Sequence, residues 1–153
     1  MKLETLIFDM DGVIIDSETL FDNADNAFFR RYGKIYDREK VALLLTGMHL
    51  TEGTALIKEK YDFPKDVETL ATERQTLLEK EYLTHLNYIT GFEIFYERVT
   101  SSGLKTCIAT SSNDHLLQIA INKLKLDMKF GNNIFKASDV SNMSKPNPAI
   151  YLY

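Results

Sequence analysis

The stretch Leu3-Glu4-Thr5-Leu6-Ile7-Phe8-Asp9-Met10-Asp11-Gly12 decides how the rest of the chain is read. Residues 3–8 form a short, mostly apolar run that breaks off at two acids and a glycine. They are expected to make a buried strand of a parallel sheet, with carboxylates at its carboxyl end. In an open α/β sheet, ligands bind at that end of the strands. The periodicity then changes. Leu20, Phe21, Ala24, Ala27, Phe28 and Tyr32 recur at helical spacing, with Asp16 or Ser17 placed to cap the start and Gly33 to end the helix. Further helices are expected over residues 37–45, 50–61 and 65–85. The last carries Val67, Leu70, Ala71, Arg74, Leu77, Leu78 and Tyr82 on one side, and Pro64 separates it from its predecessor.

Strand character returns only at residues 105–110, after a short helix over residues 92–101 that closes at Gly103. Ser112 or Asn113 can cap the helix expected over residues 114–124, whose apolar face is Leu117, Ala120, Ile121 and Leu124. A third strand follows at residues 134–137. Asn147 then caps, and Pro148 opens, a helix in which Tyr153 lies. One strand, a purely helical stretch, then strand–helix–strand predicts an α/β fold. Residues 1–15 and 92–153 make a parallel, Rossmann-like core sheet, and residues 16–91 form an all-helical insertion.

Composition narrows the function classes. At 153 residues and 44% hydrophobic, the chain can build one compact domain with a modest insertion. A net charge of −4, with acids and bases intermixed, offers no basic stripe, so no nucleic-acid partner is expected. Cys107 is the single cysteine, which excludes an internal disulfide, and it reads as a small buried apolar residue. The opening residues lack the apolar stretch of a signal peptide, and no run approaches the roughly 20 residues needed to span a bilayer. A cytoplasmic location without membrane association is the expectation.

The chemistry lies in three separated pieces. Phosphoryl transfer needs a nucleophile, neutralisation of the phosphate oxygens, and a proton for the leaving group. Asp9 at a strand end can attack phosphorus and form an aspartyl phosphate. Asp11, on the same side, can protonate the leaving oxygen and later deprotonate water. Together they present hard oxygens suited to Mg²⁺, and Gly12 lets the backbone turn there. Thr110, Ser111, Ser112 and Asn113 join the second strand to a helix N-terminus, offering hydroxyls and backbone amides to an anion. Lys145 supplies a compact positive charge.

Phe8-Asp9-Met10-Asp11-Gly12-Val13 resembles the first motif of the haloacid dehalogenase (HAD) superfamily. The Thr110 segment resembles its second motif, and Ser144-Lys145-Pro146-Asn147-Pro148 its third. The order and spacing match over essentially the whole chain. The insertion looks like the alpha-helical cap of the subgroup containing beta-phosphoglucomutase and phosphoglycolate phosphatase. The resemblance implies that Asp9 is nucleophile and metal ligand, and that Asp11 is acid/base and a metal ligand through its backbone carbonyl. It further implies that Thr110 and the Ser111 amide bind phosphate, and that Lys145 orients Asp9 and the phosphate. Dehalogenases of the superfamily lack the second aspartate, so Asp11 favours phosphate chemistry.

Gly47-Met48-His49-Leu50 resembles the substrate-facing loop of the cap, with Gly47 and His49 as candidate contacts. Beta-phosphoglucomutase has a phosphate-gripping arginine where this chain has Leu50, which favours a phosphatase over a mutase. The family's fourth motif, the acids that complete the Mg²⁺ site, is expected a helix and a strand beyond Pro148. The resemblance therefore describes a C-terminally truncated form, whose first strand has an exposed edge open to self-association.

Three readings follow. The first is a Mg²⁺-dependent phosphatase acting on a small phosphorylated metabolite, such as a sugar, nucleotide or nucleoside phosphate. The second is a non-catalytic fragment that binds phosphate or a partner. The third is a phosphomutase. Elsewhere, His115 is expected on the exposed side of its helix, His85 in a structural role, and Phe21, Phe28 and Tyr32 in core packing.

Overall fold

The computed structural model describes residues 3–45, 48, 50–141, 143 and 145–153. Gly47 and His49, the candidate cap-loop contacts, lie outside them. The chain divides into two units: residues 1–18 with 85–153, and residues 19–84.

The first unit is built on strands β1 (Thr5–Phe8), β2 (Lys105–Thr110) and β3 (Ile134–Lys136). They are parallel, in the order β1-β2-β3, with Phe8 opposite Ile108 and Thr110 opposite Lys136. The parallel α/β core is as expected. Aromatic residues cover one end of β1: the Phe8 ring lies 5.6 Å from Phe92 and 5.9 Å from Phe130, both edge-on. Such pairs contribute about 0.5–1.5 kcal/mol beyond the area they bury. Ala109, Val140 and Ile150 form a second buried cluster, against which Phe135 and Ala149 pack.

β1 corrects one expectation. Among the described strands it pairs only with β2, the open edge expected of it, but Leu3 (63% exposed) and Ile7 (44%) lack the burial that the apolar run suggests. Only Phe8 of this strand is fully enclosed. Cys107 is half-buried rather than buried, and burial pushes its thiol pKa up.

Helices α1 (Ser17–Arg31), α2 (Arg38–Leu45), α3 (Leu50–Tyr61) and α4 (Val67–His85) follow β1. The core of the second unit is Phe28, Phe29, Val41, Ile57, Phe63 and Leu70, all 0–1% exposed. Phe21 is exposed, and its expected core place belongs to Phe29, about two turns further along α1. On α4 the buried stripe is Leu70, Ala71, Arg74, Leu78 and Tyr82, as the spacing predicts. A Cβ on Gly53 would come within 2.8 Å of Leu45 Cδ2, so its lack of a side chain lets the end of α2 approach α3. No described helix is long and apolar enough to cross a membrane.

The remaining helices, α5 (Phe92–Ser101), α6 (Asp114–Leu124), α7 (Leu126–Phe130) and α8 (Ala149–Leu152), return to the first unit. Two elements escaped the sequence reading: α7, and a 3-10 turn over Ala137–Val140. The inward face of α6 carries Leu116, Leu117 and Ala120, with Ile121 and Leu124 half-buried. Residues 14–16 and 87–89, either side of the helical stretch, pair with each other, Ile89 N–H donating to Ile14 O at 2.9 Å. His85 and His115 are both exposed.

Candidate active site

β1 ends at Phe8, and the chain leaves it as Asp9-Met10-Asp11-Gly12. Met10 is completely buried, Asp9 is exposed and Asp11 half-buried, so the alternation of the strand carries on just past its end. Buried Met10 anchors the turn: its carbonyl accepts from the N–H of Ile14 at 2.9 Å and of Ile15 at 3.1 Å. Gly12 has φ +72°, in the left-handed region where a side chain is strained, while its N–H donates to Ile15 O at 2.9 Å. The sequence thus turns tightly here and leaves two acids around one buried side chain.

Lys145 reaches this turn from 136 residues away. Its Nζ donates to Asp9 Oδ1 at 2.8 Å and to Ala109 O at 2.7 Å. Asp9 Oδ1 also accepts from the Met10 N–H at 2.8 Å. The Lys145 backbone N–H donates to Ser111 Oγ at 3.2 Å. One lysine thereby joins all three candidate segments, with the ends of β1 and β2 side by side. The half-exposed Asp9 side chain (46%) remains accessible, while Lys145 is more enclosed (22%).

Thr110 ends β2 and is fully buried; its Oγ1 accepts from the Ser112 N–H at 3.0 Å. That bond folds residues 110–112 into a tight turn and leaves the hydroxyl hydrogen to donate. Asn113 caps α6: its Oδ1 accepts from the Leu116 N–H at 2.9 Å. Its side chain is therefore engaged with the helix. Asn147 Oδ1 accepts from the Ala149 N–H at 3.0 Å, and Pro148 stands just before α8.

The donor set bears on the expected metal. Asp9 and Asp11 offer hard carboxylate and carbonyl oxygens, the chemistry Mg²⁺ takes while keeping several waters. Among the described residues no group of three or more His, Cys, Asp or Glu gathers to hold a metal. By donor type, the oxygens of Asp9 and Asp11 suit Mg²⁺.

Sequence reading overlooked a cluster beside the Thr110 turn. Lys136, the last residue of β3, donates Nζ to Asp114 Oδ2 at 2.8 Å, and Ser138 Oγ donates to the same carboxylate at 2.9 and 3.2 Å. No spacing signal could have found it, because β2–β3 register brings these residues together.

Acids, hydroxyls and a lysine thus gather past the carboxyl ends of the parallel strands of an α/β core. The chain matches the family model of the haloacid dehalogenase-like hydrolases over residues 6–153 and belongs to that family. It is similar to a phosphorylated carbohydrates phosphatase from Thermotoga maritima, 28% identical over 98% of this chain and 68% of that protein. A probable pseudouridine-5'-phosphatase of Drosophila melanogaster is 25% identical over 99% of this chain and 65% of its own length. A haloacid dehalogenase-like protein of unknown function from Agrobacterium tumefaciens shares the fold, with a TM-score of 0.81 at 24% identity over 99% of this chain and 67% of that one. The chain spans 62–68% of the length of the first curated relatives it matches. Its lineage is that of HAD hydrolases, among which named phosphatases recur.

Proposed function

We propose that this chain carries the phosphoryl-transfer site of a Mg²⁺-dependent phosphatase acting on a small phosphorylated metabolite. The observation that carries the reading is Lys145, whose ammonium bonds Asp9 Oδ1 and Ala109 O while its backbone binds Ser111. A lysine so held keeps the Asp9 carboxylate oriented and adds positive charge where a phosphate would sit. Asp9 attacks phosphorus, the substrate oxygen leaves with a proton from Asp11, and Asp11 then takes a proton from the water that opens the aspartyl phosphate. Thr110 and the amides of the following turn, at the start of α6, hold the phosphate oxygens. Mg²⁺, held by Asp9 and Asp11, would offset the repulsion between an anionic nucleophile and an anionic substrate.

The residue 19–84 unit is read as the cap that sets specificity. The names of the relatives support sugar and nucleoside phosphates as the substrates to try first. We further read the protein as cytoplasmic, with no nucleic-acid or membrane partner.

The test is hydrolysis of a panel of phosphate monoesters by the chain, with and without Mg²⁺, beside Asp9→Asn. The expected outcome is Mg²⁺-dependent turnover that the substitution abolishes. Turnover that survives in Asp9→Asn overturns the assignment. A folded chain that binds phosphate without turnover supports the second reading, a non-catalytic phosphate-binding protein.

A further inference from the structure

Asp114 is the first residue of α6, directly after the turn read above as the phosphate cradle. A carboxylate at a helix start suits the helix dipole. It also places a negative charge on the rim of a site meant for a dianion, where like charges repel.

The neighbouring strand answers that charge. Lys136 stands opposite Thr110 in the β2–β3 register, and its Nζ lies 2.8 Å from Asp114 Oδ2. Ser138 Oγ bonds both carboxylate oxygens, at 2.9 and 3.2 Å. Asp139 Oδ2 accepts from the Lys136 backbone N–H at 3.0 Å, which fixes the point from which the lysine side chain extends. The bonds from Lys136, then Ser138, hold the Asp114 carboxyl below its ordinary pKa, and Asp114 in turn holds the Lys136 ammonium above its own.

We propose that Lys136 is a positioning residue of the phosphate site: by holding the Asp114 carboxylate aside and neutralising it, Lys136 keeps the start of α6 attractive to an anion. The inference rests on the reading of residues 110–113 as the phosphate cradle and deepens it. Charge compensation and a simple strand-to-helix clamp make different demands on the pair. If the contact matters only as a clamp, removing both partners is no better than removing one. If it matters as compensation, removing Lys136 leaves an unopposed carboxylate beside the site, and removing Asp114 as well restores neutrality.

The test is calorimetric titration of inorganic phosphate into the whole chain with Mg²⁺ present, for wild type, Lys136→Met, Lys136→Arg, and Lys136→Met with Asp114→Asn. Side chains exposed by 33% and 56% make these substitutions compatible with folding, which circular dichroism checks. Lys136→Met is expected to weaken binding about three- to tenfold at low salt, as a carboxylate acting across a solvated rim would. The loss should shrink near 1 M salt, where screening reaches about 3 Å. Lys136→Arg and the double variant are expected within about twofold of wild type, a rescue that a purely structural contact would not give. Unchanged binding in Lys136→Met, or a double variant as weak as the single, overturns the proposal. Folded wild type that binds no phosphate instead overturns the cradle reading itself, and the proposal falls with it.

Discussion

Replacing Arg74 with Met should unfold this protein far more readily, because Arg74 answers a charge buried in the residue 19–84 unit. Arg74 on α4 is 4% exposed and Asp25 on α1 is 7% exposed. Three hydrogen bonds join them, at 2.8, 2.9 and 3.0 Å, and Arg74 Nη1 donates to the wholly buried Thr54 Oγ1 on α3 at 2.8 Å. Thr54 Oγ1 passes its own hydrogen to Leu50 O at 2.7 Å, so one guanidinium ties three helices together. Removing one member of such a pair strands the other, at about 3–5 kcal/mol. That is a large share of a total of roughly 5–15 kcal/mol. With a urea slope of about 2 kcal/mol per molar, the midpoint should fall by roughly 1.5–2.5 M.

The pH dependence gives a second, independent sign. Burial raises the Asp25 pKa in the folded chain above its ordinary 3.8, and the Arg74 charge opposes that rise only in part. A folded value above the unfolded one makes the Asp25 contribution complete below 3.8 and progressively lost as pH climbs through the folded value. Without Arg74 the folded value moves higher still. The deficit of Arg74→Met against wild type should therefore be widest at neutral pH and narrow towards acid. The chain has no tryptophan, so urea unfolding followed by far-ultraviolet circular dichroism is the assay. Arg74→Met combined with Asp25→Leu should recover most of the loss, since an apolar pair can replace a buried ion pair. A loss under about 1 kcal/mol for the single variant, or a double variant no more stable than the single, would refute this reasoning.

Substitutions at two further positions, one in each unit, extend the tests. Phe63→Ala removes a ring that is 1% exposed and stacked at 4.9 Å on Phe28, with Phe29 and Tyr32 each 5.2 Å away. It should cost about 3–5 kcal/mol in denaturant unfolding; a cost below about 1.5 kcal/mol would mean the cluster collapses over the gap. Asn113→Ala deletes the side-chain cap on the Leu116 amide, and should lower stability by about 1 kcal/mol, while Asn113→Ser stays within a few tenths. Equal losses in the two variants would show that Asn113 contributes something other than a cap.

Much of this fold could be read from local patterns, because the helices announce themselves. The limits of α3, α5, β2 and α6 coincide with the expected ones: each is bounded by a change of periodicity, a glycine or a capping residue. The errors have physical causes. The apolar run before Asp9 reads by itself as a buried strand, and Ile7 stands 44% exposed because, among the described strands, β1 has a neighbour on one side only. Phe21 and Phe29 lie on α1 with similar claims to an inner face, and only packing against Phe63 and Tyr36 selects Phe29. The short α7 begins where Lys125 takes a left-handed conformation at φ +54°. That break carries no glycine signal, because tertiary packing of Leu126 and Phe130 imposes it on a lysine.

The candidate site divides along the same line. Asp9, Thr110 and Lys145 could be found in the sequence because each sits at a transition that local chemistry marks: an acid at the end of an apolar run, a hydroxyl at a strand end, a lysine between turn residues. Their meeting at Asp9 Oδ1 and Ala109 O is long-range, yet it follows once all three transitions are placed at the carboxyl ends of adjacent parallel strands. Lys136 and Asp114 have no such mark. Each is an ordinary surface charge in the sequence, 22 residues from the other, and only the pairing of Thr110 with Lys136 sets the ammonium beside the first residue of α6. Candidate site residues are legible where the backbone must change direction to present them. Residues proposed only to balance charge beside such a site answer to register, and so come into view only when the strands are laid side by side.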